Sequence, residues 1–201
     1  MTIKRYYATK DNTITNAYKS NLSTRGVSGN MGQSDILEVF SIYAQASSSS
    51  GLSSELSRIL IQFDTDAIVT DRTANTIPAS GSVNFFLRLY DAEHTQTTPK
   101  DYTLVVSAVS QSWDEGLGLD MENYTDEDSS NWLSSSGATK WVDYAGTELT
   151  GGSYITGSNA SALEYTFTQT FDTGFEDLEI DVSHLVEDWI SETAPVDNNY
   201  G

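Results

Sequence analysis

The densest run of chemistry-bearing side chains lies between positions 114 and 128, where Asp114, Glu115, Asp120, Glu122, Asp126, Glu127 and Asp128 are interspersed with glycines. Carboxylates on a glycine-containing loop are what a hard cation such as calcium takes as ligands. Asp114, Glu115, Asp120, Glu122 and Asp126 are therefore the candidate calcium ligands. Their spacing departs from the helix-loop-helix calcium pattern, which wants acidic or amide side chains at alternate positions, then Gly and a closing Glu. A charge run of this kind is ordinarily a solvated loop, so no cofactor is expected, and calorimetric titration with calcium is the check. Two carboxylates about 5 to 10 Å apart with split pKa values can hydrolyse glycosidic bonds, but so many acids are present that the sequence selects no pair.

Other chemistries have less to work with. The two histidines, His94 and His184, lie far apart, and neither sits in a triad or metal-ligand spacing. Cysteine is absent, which removes disulfide scaffolds, thiolate zinc sites and thiol nucleophiles together. Gly26-Val-Ser-Gly-Asn-Met-Gly32 imitates a phosphate loop without its Lys-Ser/Thr, and reads as a turn. The expectation is that the chain is not an enzyme.

Aromatic side chains are the remaining candidates for ligand contact. Trp113, Tyr124, Trp132, Trp141, Tyr144 and Tyr154 fall in a loop-rich middle segment. Trp113 and Trp189 read as core, where an indole anchors packing and its N–H finds a partner. Trp132, Trp141, Tyr144 and Tyr154 are the candidates for glycan or subunit-interface contact, with Trp132 and Trp141 expected to be the more exposed of the indoles. Arg58 and Arg88, flanked by apolar residues, are expected to pair with carboxylates at a sheet surface.

The whole chain narrows the partners. Its 201 residues carry 29 acidic against 10 basic side chains, a formal net charge of -19. Nucleic-acid backbones need Lys and Arg to neutralise phosphates, and anionic membrane surfaces need the same, so neither is expected as a partner. No window approaches the roughly 18 apolar residues of a spanning helix, and the first eight residues lack a signal-type apolar stretch. A length of this order suits one domain with its own core, and no composition break marks a linker.

The elements that must position these side chains read as strands. Leu163, Tyr165, Phe167 and Phe171 alternate with Glu164, Thr166, Thr168 and Thr170, one face apolar and one wet. The same period recurs at Val83, Phe85, Leu87 and Leu89, at Tyr102, Leu104, Val106 and Ala108, and at Leu178, Ile180 and Val182. Residues 57–64 read as a strand with Ile59, Ile61 and Phe63 on one side and Arg58, Leu60 and Gln62 on the other. Residues 36–44, apolar on both sides, read as a strand at a sandwich centre. Polar clusters at 47–54, 70–82 and 129–137 read as the turns between strands. Helix is expected over 183–191, where Leu185, Val186, Trp189 and Ile190 share a face and Ser183 is placed to cap, and as a short turn over 65–69. The pattern predicts an all-β jelly-roll β-sandwich with one short helix near the C-terminus.

The order of these blocks resembles the DNRLRE-type jelly-roll modules, which include carbohydrate-binding and disaggregatase-related surface domains. The resemblance rests on the stretch from Asp11 to Ile14, then Asp35-Ile-Leu-Glu-Val39, Ser57-Arg-Ile-Leu-Ile-Gln-Phe-Asp64, Phe86-Leu-Arg-Leu-Tyr90 and Ser112-Trp-Asp-Glu-Gly116. It ends with Leu178-Glu-Ile-Asp-Val-Ser-His-Leu-Val-Glu-Asp-Trp189 and Asn198-Asn-Tyr-Gly201. The opening 17 residues, Gly29-Asn-Met-Gly-Gln-Ser-Asp-Ile-Leu-Glu38 and Glu115-Gly-Leu-Gly-Leu-Asp-Met-Glu-Asn-Tyr124 look like a virion structural protein of large contractile-tailed marine phages.

That resemblance implies a single jelly-roll module over residues 1–201, a decorating or linking role in a virion, and synthesis in the host cytoplasm. Its implied partners are other virion proteins and further copies of itself, since particle symmetry multiplies each component. With so acidic a chain, partner surfaces are expected to offer Arg and Lys, through residues 111–158 and any open strand edge. The alternative is a carbohydrate-binding or adhesion module that recognises surface glycans. The family pattern continues with one more core strand after Asn-Asn-Tyr-Gly. The expectation is that the chain is the N-terminal segment of a longer polypeptide, or that a neighbouring subunit donates that strand.

Overall fold

A computed structural model describes residues 3–48, 51–93, 98–125, 128–155, 165–193 and 198–201. Their regular structure is mostly strand, with two short helices. In chain order they form β1 (Ala8–Thr15), β2 (Ser41–Ser48), β3 (Gly51–Phe63), α1 (Thr65–Thr73), β4 (Phe86–Leu89), β5 (Tyr102–Ser107), β6 (Ser134–Ser136), β7 (Thr139–Val142), β8 (Glu148–Leu149), β9 (Thr166–Phe171), β10 (Leu178–Asp181) and α2 (Ser183–Ser191). All strand pairs are antiparallel. The chain divides into two compact units.

The first unit comprises Met1–Phe63, Val109–Tyr154 and Tyr200–Gly201. Its larger sheet has the order β1-β3-β2, and its smaller one the order β6-β7-β8. Threonine and β-branched residues along β1 and β3 suit the pleat. Their register sets Asn12 opposite Leu60 and Ile14 opposite Arg58, so these four side chains share one face. On that face Ile14 and Leu60 pack with Trp113, Trp132 and Trp141, and Val27, Leu56, Val109 and Leu133 close the edges. Each buried indole brings about 150–250 Å² out of water, on the order of 4 kcal/mol at about 25 cal/mol per Å². The core of this unit thus rests on three tryptophans that come from irregular backbone or a four-residue strand.

The opposite face sets Asp11, Thr13 and Thr15 of β1 against Ile61, Ile59 and Ser57 of β3, and its hydroxyls serve as surrogate strand. Thr13 Oγ1 accepts from the Glu38 amide at 3.1 Å, and Ser57 Oγ accepts from the Phe40 amide at 2.7 Å while donating to the Glu38 carbonyl. Residues 36–40 are therefore not the expected sandwich-centre strand: the Thr13 and Ser57 hydroxyls hold their backbone, with one backbone bond from the Ser57 amide to the Phe40 carbonyl, Ile36 and Val39 are exposed, and strand begins only at Ser41. The 47–54 cluster, expected as a separator, is instead mostly strand, with Ser47 opposite Leu52 and Ser48 opposite Gly51.

The second unit comprises Asp64–Ala108 and Ile155–Asn199. It pairs β4 with β10 and β5 with β9, the latter in register from Tyr102 opposite Phe171 to Ser107 opposite Thr166. A side chain stands in for backbone pairing between β9 and β10: Gln169 donates to the Asp177 carbonyl at 2.9 Å and accepts from the Glu179 amide at 2.8 Å. The inner positions read from period two fall on the core side, where Ala108, Ile155, Tyr165 and Leu185 pack with Phe167 and Trp189. Leu163 and Glu164 of that alternation lie outside the described residues, as does His94. Arg88 pairs with Glu179 at 2.8 Å on the exposed face, as expected.

Helix content exceeds the single helix expected. The 65–69 turn extends to a nine-residue α1, because Asp64 caps it by accepting from the Asp66 amide at 2.9 Å, with Asp66 in the first turn and Arg72 in the last. Arg72 then clamps Glu187 of α2 through two bonds of 2.9 and 2.7 Å. Ser183 does not cap α2. The cap position is Val182, and the Ser183 hydroxyl is engaged by Asp181 and the Phe85 amide.

Candidate interaction surface

Two buried asparagines build the one region of the first unit where loop, groove and exposed apolar side chains coincide. Asn12 and Asn30 are wholly buried. Asn12 donates to both the carbonyl and the hydroxyl of Ser130 and accepts from the Met31 amide at 3.0 Å. Asn30 donates to the carbonyls of Glu115 at 2.7 Å and Ser130 at 2.9 Å, and accepts from the amides of Gly32 and Gly118. A carboxamide with all four positions used is a rigid staple, since each group it satisfies would otherwise be buried unpaired. Gly118 is required at its position: a Cβ there would run into the Asn30 carbonyl. The staple fixes the acidic loop against residues 29–34.

Between these segments lies a groove of about 530 Å³, with Met31, Ile36, Phe40, Leu119 and Met121 supplying apolar surface and Asp35, Glu38 and Asp120 supplying carboxylates. No Lys, Arg or His lines it. Ile36 is 53% and Leu119 49% exposed, Val39 is exposed beside them in sequence, and Leu117 is 76% exposed in the same loop. A second hollow of about 360 Å³ is formed by Leu117, Gly118, Asn123, Tyr124 and Thr125. Asp120 is held below the ordinary carboxylate range by the Asn123 amide, against an opposing effect of burial, with further help from the Glu122 amide, the Asn123 side chain and the charge of Lys19.

The acidic run itself is used for bracing. Asp120 Oδ1 accepts from the amides of Glu122 and Asn123 at 2.8 and 2.7 Å. Glu122 accepts from Ser20, Glu115 Oε1 accepts from the Asp11 amide at 2.9 Å, and Asp114 accepts from the Ser136 hydroxyl. Asp126 lies outside the described residues. Among the described residues no three His, Asp or Glu side chains are gathered as a metal ion would require. Asp114, Glu115, Asp120 and Glu122 are thus spread over separate backbone and hydroxyl partners.

The aromatic candidates part company. Trp132 and Trp141, expected to be exposed, are 7% and 0% exposed and belong to the core. The Trp141 indole donates to the Asn131 carbonyl at 2.8 Å, and Trp132 lies under Arg58. Arg58 does not pair with a carboxylate. Its guanidinium sits 5.3 Å from the ring centres of both Trp132 and Tyr154 and bonds the Gly151 carbonyl, because its side of β3 is the core side. Tyr154 is half exposed beneath it. Tyr144 is 91% exposed at the turn between β7 and β8, which Asp143 braces through the amides of Ala145 and Thr147. Of the expected 111–158 surface, residues 126–127 and 156–158 lie outside the described residues.

The groove residues Ile36 and Leu119, the exposed Val39 and Leu117, and the buried Asn30 were not singled out as site residues by sequence. The available signal was apolar side chains set among acids and glycines, as in Asp35-Ile-Leu-Glu38 and Gly116-Leu-Gly-Leu-Asp120. Compared with protein-family models, with curated proteins and with solved structures, the chain finds no match.

Proposed function

We propose that this chain is a structural, non-enzymatic component of a tailed-bacteriophage virion, a jelly-roll β-sandwich module that works by contacts to other virion proteins and to copies of itself. The observation that carries the contact role is the cluster of exposed apolar side chains, Ile36, Val39, Leu117 and Leu119, on an acidic, internally braced loop region. Apolar surface set in a polar rim marks an interaction site more often than a solvated face. The jelly-roll reading draws support from the nested antiparallel pairing within the second unit, where β5 pairs with β9 inside the pair β4 and β10 in chain order. The phage assignment itself comes from the resemblance of the sequence blocks.

Glycan adhesion, the alternative, loses its two indoles to the core and keeps Tyr144 as its most exposed aromatic face. The deciding experiment is peptide mass spectrometry of gradient-purified particles, with an antibody to this chain used to label them under the electron microscope. Stoichiometric presence with labelling at one repeated position is the expected result. A chain found only in the unassembled fraction overturns the virion reading, and glycan-array binding abolished by Tyr144→Ala would replace it with adhesion.

A further inference from the structure

We infer that the groove between residues 31–40 and 119–121 receives a short segment of a partner protein in which an apolar side chain is flanked by Lys or Arg. This deepens the assembly reading and rests on it. The volume of about 530 Å³ lies in the range of specific pockets and has room for one or two aliphatic side chains. Its apolar surface comes from Met31, Ile36, Phe40, Leu119 and Met121, and a segment without an apolar side chain would leave that surface wet. Its rim carries Asp35, Glu38 and Asp120 with no cation among the lining residues; Asp120 is already met by two amides and the charge of Lys19, so a neutral or acidic segment would bring nothing to meet the carboxylates of Asp35 and Glu38.

Among the described residues neither the Asp35 nor the Glu38 carboxylate bonds a protein group, and both residues are exposed; their charge is available to a partner. Charge also chooses among occupants. A second copy would bring a further formal charge of -19 to this rim, and like charges facing each other oppose association. An anionic membrane is disfavoured on the same ground.

The probe is a fluorescein-labelled peptide Gly-Lys-Leu-Lys-Leu-Lys-Gly, read by anisotropy against the whole chain, beside one peptide with Ser for Leu and one with Glu for Lys. We expect saturable binding of the first that weakens as salt is raised, at least tenfold weaker binding of the Ser peptide, and none of the Glu peptide. Asp35→Asn with Glu38→Gln, and separately Ile36→Ser with Leu119→Ser, should each weaken the first peptide at least fivefold. Removal of two exposed charges that do not line the groove, Glu148→Gln with Asp172→Asn, should change it less than twofold. All four groove positions are solvent-exposed, and circular dichroism checks that the variants fold.

Equal binding of the Leu and Ser peptides, or equal loss in the variant lacking the Glu148 and Asp172 charges, shows bulk attraction to an acidic protein and overturns the assignment. A dimer in sedimentation equilibrium that Ile36→Ser with Leu119→Ser dissolves gives the groove to a second copy and also overturns it. Failure of the peptide arms with the chain present in particles refutes the groove alone, while specific groove binding with the chain absent from particles refutes the virion reading.

Discussion

The amide of Gly118 donates to Oδ1 of Asn30 at 2.7 Å, and this bond ties the wall of the groove to the buried centre of the first unit. The same carboxamide also serves Gly32, Glu115 and Ser130. Asn30→Ala would leave the amides of Gly32 and Gly118 and the carbonyl of Glu115 short of a partner at a site closed to solvent, while the Ser130 carbonyl keeps Asn12. At about 1–3 kcal/mol for a buried group left unpaired, and with partial relaxation, the loss should be about 3 kcal/mol or more. Urea denaturation measures it. Gly118→Ala should destabilise as well, because the added methyl meets the Asn30 carbonyl.

Trp141 is wholly buried in a core of five residues and its indole N–H is satisfied. Trp141→Ala is therefore a cavity mutation, expected to cost about 3–5 kcal/mol. Trp141→Phe should cost less, since most of the volume stays and the main loss is one hydrogen bond to Asn131. Were Trp141 a glycan contact, both variants would keep the stability of the parent and lose binding, so a thermal melt separates the two roles without a ligand.

The regular elements were legible where period two meets a solvated outer face, as in β5, β9 and β10, because a strand with one wet side writes its register into the sequence. Helix α2 was legible for the same reason at period 3.6. Residues 36–40 misled because apolar residues on both sides resemble a doubly covered strand, whereas Thr13 and Ser57 hydroxyls hold that backbone and leave Ile36 and Val39 in solvent. Trp132 and Trp141 misled because loop-rich neighbourhoods suggest exposure, while the first unit's core is made largely of loop-borne indoles. Asn12 and Asn30 carry no signal at all in one sequence: a buried asparagine differs from a surface one only in what the distant chain brings to it.

Asp11 and Glu115 meet where the Asp11 amide donates to Glu115 Oε1. Burial, and then the Glu115 charge, push the Asp11 carboxyl above its ordinary value. A carboxyl whose pKa is raised by folding binds its proton more tightly in the folded state, so its ionised form opposes folding at neutral pH. Asp11→Asn should raise the melting temperature at pH 7. The gain should shrink as pH falls through the raised pKa and vanish below the unfolded value near 4. Glu115→Gln should bring the Asp11 titration, followed by carbon-detected NMR, back toward the ordinary range; a titration that does not move would deny the coupling.

Glu176 presents the opposite sign. Its carboxylate sits in a ring of amides: Oε1 accepts from Asp172 at 3.1 Å and Thr173 at 2.8 Å, and Oε2 accepts from Gly174 at 2.8 Å and Phe175 at 3.0 Å. Desolvation works to raise its pKa, but the Thr173 amide, its own amide, the Thr173 hydroxyl and the Gly174 amide outweigh it and hold the carboxyl at about 2. Gly174 makes the turn possible, with φ of 80° and no room for a side chain beside the Pro99 carbonyl. A carboxyl whose pKa is lowered by folding favours the folded state above its unfolded value near 4.5, and that contribution is lost as pH falls toward about 2. The melting temperature of Glu176→Gln should therefore lie below that of the parent at pH 7, and the gap should close progressively between about pH 5 and pH 2. A gap independent of pH would mean that the turn responds to the lost oxygen acceptor and not to the charge, and Gly174→Ala, which keeps the charge and strains the turn, provides that pH-independent reference.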